Sequence, residues 1–251
     1  MLMEYFKSYI PILPLTLFIN FYILKMDKIL LLSFFLCKLL SGNNNLAESP
    51  SKYYDLLNWK LQIPGPKEIK NLGGYTSNYF YLAKDTSICF DLDASEKGTT
   101  KNAHFVRSEL RHLLNWETNS KHFLSSKTKI TCDLPNYQVT VMQIHGITRN
   151  NDDAPPLLRI ALVNGDLYSY LKSDSTGYKT KKQLLTTNLY NQYFITLIKI
   201  ENSTLSIIVN GKECSREELF YWNYLNYFKL GCYPQEKKGN FKIYVKSFSV
   251  S

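Results

Sequence analysis

"YFKLGCYPQ", residues Tyr227 to Gln235, reads as a β-strand with two unlike faces. The period of two in a strand puts Phe228, Leu230 and Cys232 on one face and Lys229, Gly231, Tyr233 and Gln235 on the other. The first set is an apolar core face, and Cys232 is read with it as a small buried residue. The second set is a lysine, a glycine, a phenol and an amide in a row.

The same alternation recurs in two earlier stretches. In "FVRSELRHL" (Phe105–Leu113), Arg107, Glu109 and Arg111 share one face, while Val106, Ser108, Leu110 and His112 take the other. In "VMQIHG" (Val141–Gly146), Gln143 and His145 oppose Met142 and Ile144. An antiparallel sheet commonly turns a polar face to water, and a structural ion-pair ladder alone would explain two arginines flanking one acid. The chemistry of the three stripes goes further. Two guanidiniums around one carboxylate leave surplus positive charge able to meet a substrate carboxylate through a two-point contact. His145 beside Gln143 is a candidate base. Tyr233 near Lys229 is expected to carry a phenol of lowered pKa.

Around these stripes the chain reads as strand after strand. Strands are predicted near Ser87–Asp93, His104–Leu114, Ser125–Asp133, Gln138–Gly146, Leu157–Val163, Leu167–Leu171, Tyr193–Ile200, Leu205–Val209, Tyr227–Gln235 and Asn240–Ser249. Asn164-Gly165 and Asn210-Gly211 are hairpin turn pairs. "YYDLLNWKL" (Tyr53–Leu61) is expected to form a brief helical turn that "QIPGP" breaks. No long helical period and no repeat is visible. The expected fold is all-β, an antiparallel β-sandwich or jelly roll.

Composition narrows the partner. The chain has 251 residues, 14% aromatic, with 19 Tyr against 3 Trp, which suits an amphipathic groove. Net charge is +9. Residues 1–50 contribute only one unit of it (four Lys, three acids), so the rest of the chain is the basic part. A polyanionic partner is implied. Nucleic acid is set aside because no recognised motif is present and the arginines share their stripe with an acid. The motifs GxGxxG, Walker and GxSxG are absent. Cys89, Cys132, Cys214 and Cys232 are far apart without a CxxC pair, so neither a metal site nor any other cofactor is expected. At the N-terminus, "MDKILLLSFFLCKLLSG" (Met26–Gly42) resembles a secretory signal peptide. Residues 1–50 are therefore read as an apolar signal segment and polar linker, and 51–251 as one catalytic domain, exported. Anchoring through the first 25 residues stays open, and a monomer is expected.

"RSELR", "QIH" and "YFKLGCYPQ", in this order, resemble the signature blocks of the alginate lyases of polysaccharide lyase family 7. "NWKLQIP" (Asn58–Pro64) is similar to that family's N-terminal strand. The resemblance runs from about Tyr53 to the C-terminus and implies a β-jelly roll with a cleft across its concave sheet. It implies that Arg107, Gln143, His145 and Tyr233 are catalytic. It further implies that Glu109, Arg111, Lys229 and Gln235 support substrate binding, and that Gly231 leaves room for a sugar ring. A departure is His112, where an acid is common; it is expected to face away from the stripe.

Such a lyase removes the C5 proton of a uronate and then breaks the bond from C4 to the glycosidic oxygen. The neighbouring carboxylate must be neutralised, for which Arg107 and Gln143 are the candidates; one preorganised donor is worth roughly a hundredfold or more in rate. His145 or Tyr233 can take the proton, and Tyr233 can protonate the leaving oxygen. Tyr233 alone suits syn elimination from mannuronate, and His145 with Tyr233 suits anti elimination from guluronate. Family resemblance ties Ile144 to guluronate-containing stretches. Hydrolysis would need two placed carboxylates, and the stripes hold only Glu109. A lyase on another polyuronate such as glucuronan, or a lectin-like carbohydrate-binding domain, are the alternatives.

Overall fold

The computed structural model describes residues 47–65, 67–98 and 104–251. In chain order the strands are β1 (Trp59–Ile63), β2 (Lys67–Ile69), β3 (Phe80–Leu82), β4 (Ile88–Asp93), β5 (Ser108–His112), β6 (His122–Cys132), β7 (Gln138–Ile147), β8 (Asp153–Val163), β9 (Asp166–Lys172), β10 (Thr180–Thr186), β11 (Phe194–Glu201), β12 (Thr204–Val209), β13 (Lys212–Glu218), β14 (Leu225–Pro234) and β15 (Asn240–Val250). A single 3-10 turn at Pro50–Lys52, capped by Ser49, is the one helical element among the described residues. All strand pairings are antiparallel. They build two sheets, ordered β10-β9-β8-β7-β14-β5-β1-β2 and β13-β12-β11-β6-β15-β4-β3.

The core lies between the sheets, where Trp59, Leu61, Phe80, Phe90, Leu110, Leu124, Phe194, Phe228 and Phe241 are almost wholly buried. Each comes from the apolar half of an alternating strand, so burial of one face and sheet formation are the same event. Asn164-Gly165 and Asn210-Gly211 have positive φ throughout and close the β8–β9 and β12–β13 hairpins as expected.

One expectation fails at the start of the domain. Tyr53–Leu61 does not form a helical turn; its second half opens β1, in which Trp59, Leu61 and Ile63 are buried and Lys60 and Gln62 are half-buried on the other side. "WKLQI" carries period two, and pairing with β5 on one side and β2 on the other decides it. Met26–Gly42 and the rest of the N-terminal segment lie outside the described residues. Among the described residues no helix is long and apolar enough to cross a membrane.

Candidate active site

The three stripe-bearing strands are neighbours: β7, β14 and β5 lie side by side in the eight-stranded sheet. Register aligns them further, since Lys229 pairs with Gln143 on one side and Arg111 on the other, and Tyr227 pairs with His145. The core faces are as read: Cys232, Leu230 and Phe228 are fully buried, and His112 packs on Trp59 at 4.8 Å between ring centroids, away from the stripe.

Glu109 is the hub. It is fully buried (0% exposed), receives the Gln143 side-chain amide on Oε1, and holds the Lys229 ammonium 2.7 Å from Oε2. Arg107 stands 3.5 Å from the same oxygen. Burial opposes its charge, but Lys229 and Arg107 outweigh it, so the carboxyl is held below its ordinary range. Lys229, 1% exposed, has its pKa pushed down to about 8 by burial, with Glu109 acting against that shift. A buried charge pair of this kind holds only while both partners stay.

Arg111 does not complete an arginine–glutamate–arginine ladder. Its guanidinium lies 3.9 Å from the ring centroid of Tyr227, and the other face of the arrangement is His145, stacked on Tyr227 at 5.2 Å and 15°. Tyr227 was not among the expected site residues, although it shares the parity of Lys229 and Tyr233. Its neighbours on both sides explain its place: it fixes a cation and an imidazole at once.

His145 Nδ1 sits 2.9 Å from the Gly146 carbonyl oxygen. A carbonyl only accepts, so Nδ1 carries the proton and Nε2 keeps a lone pair. Burial lowers the imidazole pKa to about 4, and the charges of Lys229 and Arg107 add to the effect. The ring is therefore neutral over the ordinary range. His145 lines a pocket of about 440 Å³ together with Arg107, Lys229, Tyr227, Gln62, Glu68 and the Asp153–Pro156 segment that opens β8.

Tyr233 lies on the far side of Arg107, whose guanidinium is 4.3 Å from the phenol ring centroid. Its pKa is raised, contrary to expectation: burial dominates, Arg107 and Arg159 only oppose it, and the Lys229 charge is spent on Glu109. The phenol stays protonated, as a donor must. Gln235 is set apart, its amide donating to the Tyr233 carbonyl at 2.5 Å and accepting from Thr140 Oγ1 at 2.8 Å. Gly231 has a reason other than sugar clearance. At φ 151°, a Cβ there would meet the Ser108 carbonyl oxygen at 2.5 Å, Glu109 Cα at 2.8 Å and Phe90 of the opposite sheet at 3.1 Å. Its bareness lets β14 approach β5. Ile144 is fully buried on the core face, so it does not itself read a sugar. No group of three or more His, Cys, Asp or Glu able to hold a metal occurs among the described residues, and all four described cysteines are free.

A family model described as alginate lyase matches residues 54–251. Similar solved structures include alginate lyase A1-II', a member of polysaccharide lyase family 7, at 31% identity and a TM-score of 0.76, covering 82% of this chain and 98% of that one. A form of A1-II' with one histidine-to-asparagine and one tyrosine-to-phenylalanine change, solved with substrate (GGMG), is 29% identical over 82% of this chain and 97% of its own, with a TM-score of 0.76. Alginate lyase PA1167 from Pseudomonas aeruginosa is 25% identical over 79% and 99%, with a TM-score of 0.71. No functionally curated protein matches at a significant level.

Proposed function

The chain belongs to the alginate lyases of polysaccharide lyase family 7, and on that premise we propose that it cleaves alginate by β-elimination in the pocket beside His145. The observation that carries this is the protonation state built into the site. His145 Nε2 is free of a proton, and the Tyr233 phenol holds one; Arg107 shares the pocket of the first and covers the ring of the second.

The roles follow from that division. Arg107 receives the uronate carboxylate and offsets the charge that develops as the C5–H bond breaks. Gln143 gives one N–H to Glu109, and its second N–H is the further donor toward that carboxylate. The C5 proton passes to His145 Nε2 in the anti course, and the electron pair forms the C4–C5 double bond as the C4–O bond breaks. Tyr233 gives its proton to the departing glycosidic oxygen, which becomes the new reducing-end chain's hydroxyl. In the syn course Tyr233 serves one face alone, and it can take the C5 proton only as the phenolate, the form that Arg107 and Arg159 favour and burial opposes. Guluronate-containing stretches fit this site because two separate proton-transfer groups are present. Lys229 and Glu109 act as positioning residues, since each is buried against the other. The relative solved in complex with substrate (GGMG) carries substitutions of the same two residue types, histidine and tyrosine.

The test is the purified protein against alginate, separated mannuronate and guluronate blocks, and glucuronan, following the ultraviolet absorbance of the new double bond. Alginate cleavage is expected. Cleavage of glucuronan alone would redirect the substrate, and binding with no double bond would mean a lectin-like domain. Export belongs to the same proposal, because a polymer is met outside the cell and Met26–Gly42 has a signal-like profile. N-terminal sequencing of secreted protein should start after that segment; an intact cytoplasmic chain would count against it.

A further inference from the structure

At one end of the sandwich the two sheets are not sealed against each other. Trp59 on β1 and His112 on β5 are register partners on the core side of the cleft sheet, and Phe248 meets them from β15 of the other sheet. The Trp59 ring lies 4.8 Å from His112 and, edge-on, 5.5 Å from Phe248. Tyr54, ahead of β1, stacks on Phe248 at 5.8 Å and 7°, and its hydroxyl lies 2.8, 3.1 and 3.0 Å from the carbonyl oxygens of Thr86, Val245 and Lys246. Between these rings and Tyr53, Asp55 and Asn58 lies a pocket of about 490 Å³. It shares no lining residue with the pocket beside His145. The two are on opposite faces of β5, since His112 alternates with Glu109 and Arg111.

Two features mark the opening as a place for a ligand. His112 is 6% exposed, yet its Nδ1 has no hydrogen-bond partner among the described residues, where a buried polar atom normally has one. Burial, with the charges of His122 and Arg111, holds this imidazole below its ordinary pKa, so the neutral ring offers one donor and one acceptor. The rim is the second feature. Tyr53 is 55% exposed, Asp55 Oδ1 accepts only the Leu57 N–H at 3.0 Å, and the exposed Asn58 side chain forms no hydrogen bond among the described residues. Asp55 is the single charged side chain in the lining. Lys52, its ammonium 5.5 Å from the Tyr53 ring centroid, is paired with Glu48 at 2.9 Å, and Arg111 is turned to Tyr227 on the far face of the sheet. A carboxylate with no free cation beside it repels a uronate. Flat rings beside a carboxylate, an amide and an imidazole suit the C–H face and the hydroxyls of an uncharged pyranose. The volume falls within the roughly 300–1,000 Å³ of small-ligand sites. We propose that this opening between the sheets is a second, non-catalytic site that takes a sugar residue of an uncharged glycan, holding the protein to a neutral polysaccharide while the cleft stays free. The proposal does not rest on the lyase reading.

The chain has three tryptophans, so the Trp59 indole N–H serves as a reporter in proton–nitrogen NMR spectra of the whole protein. Cellotetraose, xylotetraose and mannotetraose are the neutral probes, and saturated triguluronate is the charged one. At least one neutral probe is expected to shift the Trp59 indole and the His112 ring saturably, with a Kd of about 1 mM or below. Triguluronate should leave Trp59 in place. Tyr53→Ala and Asp55→Ala, both at exposed positions, should each weaken the neutral probe by about tenfold, with kcat/KM on soluble alginate held within about twofold. His112→Phe keeps a ring against Trp59 and removes both nitrogens, and should weaken the probe as much. Three results would each overturn the site: no neutral probe moving Trp59 at about 20 mM, triguluronate moving it as strongly, or wild-type binding in both exposed variants.

Discussion

At the scale of single residues, His145 presents a tension. An imidazole with a pKa near 4 is reliably unprotonated but is a weak base. The substrate resolves it, because its carboxylate brings a negative charge against Arg107, one of the cations that depress the imidazole. The pKa must therefore rise in the complex. The acid limb of kcat/KM, which reports free enzyme, is expected near pH 4, and the acid limb of kcat at distinctly higher pH. A kcat/KM limb at the ordinary histidine value of about 6.5 would contradict this. The same shift acts on stability. The folded pKa lies below the unfolded one, so between about 6.5 and about 4 the unfolded chain binds the extra proton. Stability then falls as pH drops through that window and levels below it, so melting curves must accompany the rate profile. Tyr233→Phe removes the one donor held protonated beside Arg107 while keeping its ring contact. Turnover on mannuronate and guluronate blocks alike should drop by roughly 100-fold or more, with KM little changed. His145→Ala should cost guluronate cleavage far more than mannuronate cleavage; equal losses would assign His145 to both reactions. Tyr227 and Arg159 escaped the sequence reading because each is an ordinary residue of its strand until a partner strand sets a ring or a cation beside it.

At the scale of elements, the ten strands expected are all present, and all but one of the five missed by alternation share a cause. Four of them, β2, β3, β10 and β13, are the edges of the two sheets. Edge strands are short or polar, as Lys67–Ile69 and Lys212–Glu218 are, because one side of each lacks a partner and water competes for their backbone. The fifth, β1, escaped the alternation reading, although the resemblance of Asn58–Pro64 to the family's N-terminal strand implied a strand there. The central strands were legible because both neighbours and the opposite sheet demand apolar residues at fixed spacing. The close seating of β14 on β5 rests on Gly231, and it yields a prediction. Gly231→Ala forces a methyl against the Ser108 carbonyl and Glu109 Cα, which are backbone and cannot swing aside. A loss of about 1–3 kcal/mol in unfolding free energy is expected, with a fall in kcat because Glu109 moves with its strand. Chemical denaturation with parallel kinetics checks both; a stable variant of normal kcat would show that the strands have room to spare.

At the scale of the whole molecule, the charge of +9 meets a polyanionic substrate. Attraction between exposed charges is screened over about 8 Å at physiological ionic strength, so KM on polymeric alginate should rise steadily with added salt while kcat changes little. A flat KM would confine recognition to the buried cluster around Glu109, which salt does not reach. Sequence alone was sufficient for the all-β class, the Asn-Gly hairpins and the three polar stripes, since each depends on period-two alternation or on the backbone freedom of a turn pair, both local. It was sufficient also for the residue types the chemistry needs. Tertiary structure alone decided that Glu109 spends Lys229 and Gln143, that Arg111 turns to Tyr227, and that burial keeps Tyr233 protonated. Those outcomes depend on which strands become neighbours and how much water is excluded between them. Alternation records which face a residue takes, but not which charge stands opposite it or how far the solvent has withdrawn.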